Sequence, residues 1–283
     1  MAAPDAPRRL IVNADDFGRT TAINAAVREA HREGILTTAS LMVNEAAVDE
    51  AVAIAHAHRR LGVGLHLSLV CGLGSPASDR PVSGPAPHGL TDAHGRFDDN
   101  PVRAGIRYFF VRSLRAALQD EIDRQFRRFA DTGLELDHIN GHLNIHLHPV
   151  VFAILAGSNP ARQRTGFRLT RDRFRLSARL GRGNWGYRIG HAVIFGLLCA
   201  RTRPGLRRTA WRHTDTVFGL LENARVDEDY VLALLPELPP GDSELYSHPT
   251  VAQPRHEFEA LVSARVRRTL ETQHIARIRY QDL

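Results

Sequence analysis

The first patterned segment of the chain is residues 9–33, RLIVNADDFGRTTAINAAVREAHRE. Its opening apolar run, RLIVN, ends just before the polar pair Asp15 and Asp16, as expected of a buried strand that delivers its last residues to a site. Thr21–Glu33 then places apolar residues at helical spacing, and Gly34 stands where that helix should end. A strand followed directly by a helix is the building unit of a parallel α/β fold.

The same alternation continues along the chain, and it predicts a single α/β domain over residues 1–283, built as an irregular (β/α) barrel. A Pro-, Gly- and Ser-rich stretch, Gly72–Gly89, is predicted to be a loop. The predicted strands are Ser40–Val43, Gly62–Leu67, Leu136–Ile139, Gly166–Leu169, Glu244–Ser247 and Ile275–Tyr280, and the predicted helices are Ala46–His58, Val102–Phe110, Ser113–Thr132 and Pro254–Gln273.

The amino-acid composition of the chain excludes several classes of enzyme chemistry. All 37 basic residues are arginine, which excludes Schiff-base chemistry and a P-loop lysine, and the net charge is +6. The two cysteines are too few for a disulfide framework, and no apolar run is long enough for a signal peptide or a membrane span. We therefore expect a cytoplasmic protein, with anionic surroundings as one explanation of its charge and an arginine-rich genome as the other.

Three polar groups lie at the carboxyl ends of predicted strands: the pair Asp15 and Asp16, His66, and a dense run of histidine and asparagine from His138 to His148. Sites in parallel α/β folds form at the carboxyl ends of strands, and two imidazoles with one carboxylate are a common ligand set for a divalent ion. Taken singly, the aspartate pair is also compatible with a helix cap and His66 with a core histidine. Their joint placement favours a metal site.

The sequence contains four separated motifs: NADDFG at 13–18, GLHLSL at 64–69, DHINGHLNIHLHP at 137–149 and ELYSHP at 244–249. They resemble the motifs of the YdjC-like carbohydrate deacetylase family, in the family's order and roughly its spacing. A fifth stretch, FDDNPVRAGIRYFF at residues 97–110, is similar to the hopanoid-biosynthesis-associated branch, whose members act on N-acetylglucosaminyl hopanoids.

The resemblance implies an irregular barrel and one divalent metal ion, zinc or magnesium, held by Asp16, His66 and His142. It also implies that Asp15 is the catalytic base. The sequence departs from the family at two positions: Asn140 replaces an aspartate found in many members, and Asn144 interrupts a run that is often histidine. Asn140 can still hydrogen-bond a ligand histidine, although without charge.

The resemblance implies hydrolysis of the N-acetyl group of an N-acetylglucosamine-type sugar on a hopanoid lipid, releasing acetate and a free amine. The departing amine must be protonated, and His248 is the candidate acid with His146 as its rival. Arg168 is a candidate partner that keeps Asp15 ionised. The alternatives are a chito-oligosaccharide deacetylase or another metallohydrolase, such as a phosphoesterase with two bridged metals.

A basic segment, Arg162–Arg212, holds 14 arginines and one acidic residue, and we expect it to be an irregular insertion. Within it, the apolar run Ile189–Ala200 is bounded by aromatic residues and arginines, which suits a helix lying in a membrane interface. A core helix with solvated arginines or a homodimer contact explains the pattern equally well. No nucleic-acid-binding signature accompanies the arginines, so we expect no nucleic-acid partner.

Overall fold

The computed structural model describes residues 6–75, 89–157, 165–181 and 184–283. Within these ranges, eight parallel strands form one sheet, with the order β5-β4-β3-β2-β1-β7-β6 and with β8 paired to β1. The strands are β1 Arg8–Phe17, β2 Thr38–Leu41, β3 Gly62–Leu67, β4 Leu136–Gly141, β5 Gly166–Phe167, β6 Thr216–Phe218, β7 Gly241–Ser247 and β8 Ala276–Arg277.

Helices fill most of the connections between strands. They are α1 Thr21–Glu33, α2 Val48–Ala57, α3 Pro101–Phe110, α4 Leu114–Asp131, α5 Pro149–Gly157, α6 Phe174–Leu180, α7 Trp185–Leu206, α8 Glu228–Leu234, α9 His256–Val262 and α10 Ala264–Thr272. Helix α1 begins where Thr20 accepts a hydrogen bond from the Ile23 backbone N–H, and it buries Ala26, Val27 and Ala30. Gly34 ends it, as predicted.

The sheet curves into a half-barrel with helices around it, and this confirms the predicted fold class. Its first strand lies between β2 and β7, so the earliest and latest parts of the chain meet at the centre of the sheet. The two end strands, β5 and β6, are also linked: the N–H of Val217, on β6, donates to the carbonyl of Arg171, four residues after β5. Since all strands run the same way, their carboxyl ends share one edge.

Three expectations were wrong in detail. Pro254–Gln273 is not one helix: the chain is extended at Ser263, whose side chain caps α10, so α9 and α10 are separate. The last strand covers only Ala276–Arg277, and the chain continues through a 3-10 turn at Tyr280–Asp282. The basic segment is not irregular where it is described, because it contains β5, α6 and the 22-residue helix α7.

Two large hydrophobic clusters cover the sheet. One is built with residues of α1, α2 and α8–α10, and the other with residues of α3, α4, α5 and α7. Most of the predicted loop Gly72–Gly89 lies outside the described residues. Among the described residues, the structure contains no helix with the length and apolar character needed to span a membrane.

Candidate metal centre

The adjacent residues Asp15 and Asp16 both reach the site, although neighbours in a strand normally point to opposite faces. Asp16 has a left-handed backbone (φ 64°), and the pairing of β1 with β2 shifts register between Ala14 and Phe17. As a result both carboxylates face His66 on β3. Asp15 Oδ1 lies 3.9 Å from His66 Nδ1, and Asp16 Oδ1 lies 3.3 Å from His66 Nε2.

The three predicted metal ligands form one buried cluster. Asp16, His66 and His142 each offer a ligand atom, and these atoms all lie within 4.8 Å of one another. Asp16 Oδ1 is 3.0 Å from His142 Nδ1, and the two imidazole rings are 5.6 Å apart between centroids. The other oxygen of Asp16 accepts a hydrogen bond from Arg19 at 2.8 Å, which leaves Oδ1 directed at both histidines.

The orientation of His66 follows from Asn140. The amide nitrogen of Asn140 donates to Asp15 Oδ1 at 3.1 Å and to Ser40 Oγ at 2.8 Å, so its oxygen faces His66 Nδ1 at 2.7 Å. That oxygen can only accept, and Nδ1 must therefore carry the proton. In the neutral imidazole, His66 Nε2 is then unprotonated, and its lone pair points into the cluster. The hydrogen bond that the sequence allowed for Asn140 is present.

A second layer of hydrogen bonds holds this amide in place. Ser40 Oγ accepts from both Asn140 and Asn13, so its own hydrogen is directed at His138 Nε2, 2.9 Å away. His138 Nδ1 then donates to Asp137 at 2.9 Å. All these residues are buried, and the donor and acceptor in each hydrogen bond are fixed by the neighbouring hydrogen bond. His138 thus orients the site without contributing a ligand atom.

Asp15 is fixed by Arg168, which is itself fully buried. The two terminal guanidinium nitrogens donate to Asp15 at 2.7 and 3.0 Å, while Nε and one terminal nitrogen donate to Glu244 at 2.9 and 2.7 Å. The Tyr280 hydroxyl donates to the other oxygen of Glu244. The centroid of the Tyr246 ring lies 4.2 Å from the guanidinium carbon of Arg168. The predicted contact between Arg168 and Asp15 is present. Its role in catalysis stays a prediction.

The charged groups of the site shift one another's pKa values. Burial would raise the pKa of Asp15, but the charges of Arg168 and His66 outweigh it and hold the pKa well below its ordinary value. The pKa of Asp16 is also held well below its ordinary value, because its interactions with His142 and His66 outweigh the effect of burial. Burial would lower the pKa of His66, yet the charges of Asp15 and Asp16 raise it. The net field at the imidazole therefore favours positive charge.

The two candidate acids lie in different surroundings. His146 is fully buried, donates from Nε2 to the Arg168 carbonyl at 2.8 Å, and has its pKa lowered to about 3, chiefly by burial. Its imidazole is therefore uncharged near neutral pH and has no acidic second proton to give to the leaving nitrogen. The side chain of His248 is 32% exposed, with Nδ1 3.9 Å from Glu257, and its charge contributes to the lowered pKa of Asp15. Of the two, His248 is the one with access to solvent, and its role as the acid stays a prediction.

The donor set fits a divalent cation. His66 Nε2 is buried and makes no hydrogen bond of acceptable geometry, which is costly unless a cation accepts its lone pair. Atoms bound to one ion at about 2.1 Å are separated by roughly 3.0–3.4 Å, and Asp16 Oδ1 lies 3.0 and 3.3 Å from the two imidazole nitrogens. Two imidazoles and one carboxylate suit zinc and similar ions and leave coordination positions open.

Sequence reasoning assigned no role in the site to Asn13, Ser40, His138, Glu244 or Tyr280, although His138 lay in the histidine-rich run that it singled out. A signal existed for Glu244, because a charged residue stands in the middle of β7, between Ser243 and Leu245. No sequence signal indicated Tyr280, which approaches through the last turn of the chain.

A parallel α/β half-barrel with a buried cluster of two histidines and a carboxylate at its strand ends defines the structural class. The family model described as YdjC-like protein matches residues 9–272, and the chain belongs to this family. The hopanoid-associated branch stays a prediction.

Known proteins support this placement. A carbohydrate deacetylase from Brevibacillus brevis is 43% identical over 151 residues, or 52% of this chain and 54% of that protein. A chitooligosaccharide deacetylase from Salmonella paratyphi B is 32% identical over 157 residues, or 53% and 54%. The matches span about half the length of these relatives. A solved structure from Enterococcus faecalis V583, described as a cellobiose-phosphate cleavage protein, shares the fold with a TM-score of 0.73 and 22% identity, covering 98% of this chain and 99% of that one.

Proposed function

We propose that the protein is a metal-dependent carbohydrate N-deacetylase that releases acetate from an N-acetylglucosamine-type sugar. The observation that carries the proposal is the buried cluster of Asp16, His66 and His142 with the anchored carboxylate of Asp15 beside it. The deacetylase names of the relatives support the substrate class.

A divalent ion held by these three side chains would supply a Lewis acid for the acetyl carbonyl and would make water a stronger acid. Asp15 is ionised at neutral pH and is the proposed base. Its Oδ1 already accepts hydrogen bonds from Asn13, Asn140 and Arg168, whereas Oδ2 accepts one from Arg168. Each carboxylate oxygen has two acceptor positions, so Oδ2 is the atom with room for the proton of the attacking water.

The nitrogen of the scissile amide leaves only after protonation, and His248 is the proposed donor. Its partial exposure lets it take up a proton again from solvent after each turnover. Glu257 accepts the His248 backbone N–H at 2.7 Å, which holds this residue at the end of β7. Arg168 keeps Asp15 charged and correctly turned while remaining out of reach of solvent.

For the finer substrate, we propose an N-acetylglucosaminyl hopanoid, a sugar attached to a polycyclic lipid. The support is the similarity of residues 97–110 to the hopanoid-associated branch and the apolar exposed face of the helix that these residues form. Chito-oligosaccharides are the alternative substrate, as the name of one relative suggests.

The experiment measures acetate release from chitobiose and from an N-acetylglucosaminyl lipid, with and without EDTA. Release that stops with EDTA and returns with zinc or magnesium is expected. Phosphate release from a phosphoester without any acetate release would replace the proposal with the phosphoesterase alternative. Against that alternative, the described residues hold one cluster of three metal-ligand side chains, whereas phosphoesterases of this type commonly use two bridged metals.

A further inference from the structure

The exposed large hydrophobic residues fall in three segments of the described chain. Among the described residues, every exposed large apolar side chain falls in 102–111, at Leu143, or in 174–197. They include Phe110 at 73%, Leu197 at 68% and Trp185 at 53% exposure. Single exposed apolar residues are normal on any surface, but this confinement to three segments is not.

Each of these segments follows a strand or turn that carries residues of the candidate metal centre. Helix α3 lies in the connection after β3, and α7 lies in the connection after β5, so both follow strands that end at the site. Leu143 comes directly after His142 and is 47% exposed. The centroids of the Phe109 and His148 rings are 6.3 Å apart, and the thiol of Cys199, on α7, donates a hydrogen bond to the Thr170 carbonyl. We call α3, Leu143 and α7 the apolar rim.

The charge of the rim identifies its partner. Residues 101–119 and 184–212 contain arginine but no aspartate or glutamate. Arg112, Arg201 and Arg207 are exposed there, while Arg188 is buried against Glu222 and contributes nothing to the surface. A symmetric contact between two copies would bring the same arginine-bearing segments together. An anionic lipid surface instead offers both apolar depth and opposite charge.

We propose that the apolar rim docks on an anionic lipid bilayer and turns the metal centre toward its surface. Exposed residues of α7 at 185, 189, 193 and 197 follow helical spacing, as required of a helix that lies in the interface plane. Helix α3 and Leu143 extend the contact around the mouth of the site. That this contact presents a lipid-borne sugar rests on the proposed deacetylase function, whereas the docking itself does not.

The test is co-sedimentation of the full chain with vesicles of phosphatidylcholine alone and of equal phosphatidylcholine and phosphatidylglycerol. We expect binding to the anionic vesicles, weakened as salt is raised because exposed charges are screened. The double variant Ile189→Glu/Leu197→Glu should reduce binding about tenfold or more, since it removes buried apolar area and adds repulsion. The double variant Ile106→Glu/Phe110→Glu tests α3 separately.

The matched control is Arg28→Ala/Arg268→Ala, which changes the net charge by the same two units at exposed positions on α1 and α10. It should bind nearly as wild type. Equal binding to both vesicle types, unreduced binding of both glutamate variants, or no binding by wild type overturns the proposal. So does a wild-type dimer that the glutamate variants dissociate in the absence of vesicle binding. Acetate release from chitobiose is measured without vesicles, so failure of the chemistry is distinguishable from failure of docking.

Discussion

Replacing Arg168 with methionine is the sharpest test of how the site is built. The substitution keeps much of the side-chain volume but removes a fully buried charge that donates four hydrogen bonds to Asp15 and Glu244. Both carboxylates then remain inside the protein without their cation.

The size of the effect follows from this burial. Removing one partner of a buried ion pair costs about 3–5 kcal/mol of unfolding free energy, because the remaining charge is left uncompensated. For a chain of this length, such a loss lowers the midpoint of thermal unfolding by about 10 °C. Arg168→Lys keeps the charge but loses the planar fork, so we expect an intermediate loss.

The assay is urea denaturation of metal-free protein at pH 7, followed by circular dichroism. The control is the double variant Arg168→Met/Glu244→Gln, which removes one of the two stranded charges and should recover part of the lost stability. A loss below about 1 kcal/mol in Arg168→Met would place this network in the range of exposed ion pairs. That result, or a double variant no more stable than the single one, would refute the reasoning.

Other substitutions separate metal binding, chemistry and stability. His66→Ala should abolish both metal binding and turnover, whereas Asp15→Asn should retain metal, measured by atomic absorption, and lose turnover; full activity in Asp15→Asn would contradict its role as base. Asn140→Leu removes the acceptor that sets the His66 tautomer and should weaken metal affinity about 10–100-fold in calorimetry, while Asn140→Asp, which keeps an acceptor, should lose less. Ser40→Ala should cost about 1–3 kcal/mol in urea denaturation, because it strands buried polar groups; a neutral effect would exclude the inferred hydrogen-bond chain. Burial raises the pKa of Asp172 to about 6 in the folded protein. Between pH 4 and 6 the folded state therefore holds a proton that the unfolded state has lost, so the free energy of unfolding should fall as the pH rises through this range. Asp172→Asn should flatten that fall.

Much of the local structure was predictable because it depends on short-range patterns. The run RLIVN, the helical spacing of Thr21–Glu33 and the strand Gly62–Leu67 require only neighbouring residues to be recognised, and the structure has them at or near the predicted bounds. The failure at Pro254–Gln273 has an equally local cause, since Ser263 has the capping chemistry to begin a new helix.

The sequence by itself determined the alternation of strands and helices, and it put carboxylates and imidazoles at strand ends. Only the tertiary structure decided which of them meet. The left-handed backbone of Asp16 turns two adjacent carboxylates onto one imidazole, and burial leaves His146 uncharged while His248 stays accessible. Such outcomes depend on contacts between residues far apart in the chain, whose desolvation and hydrogen-bond polarity no local pattern encodes.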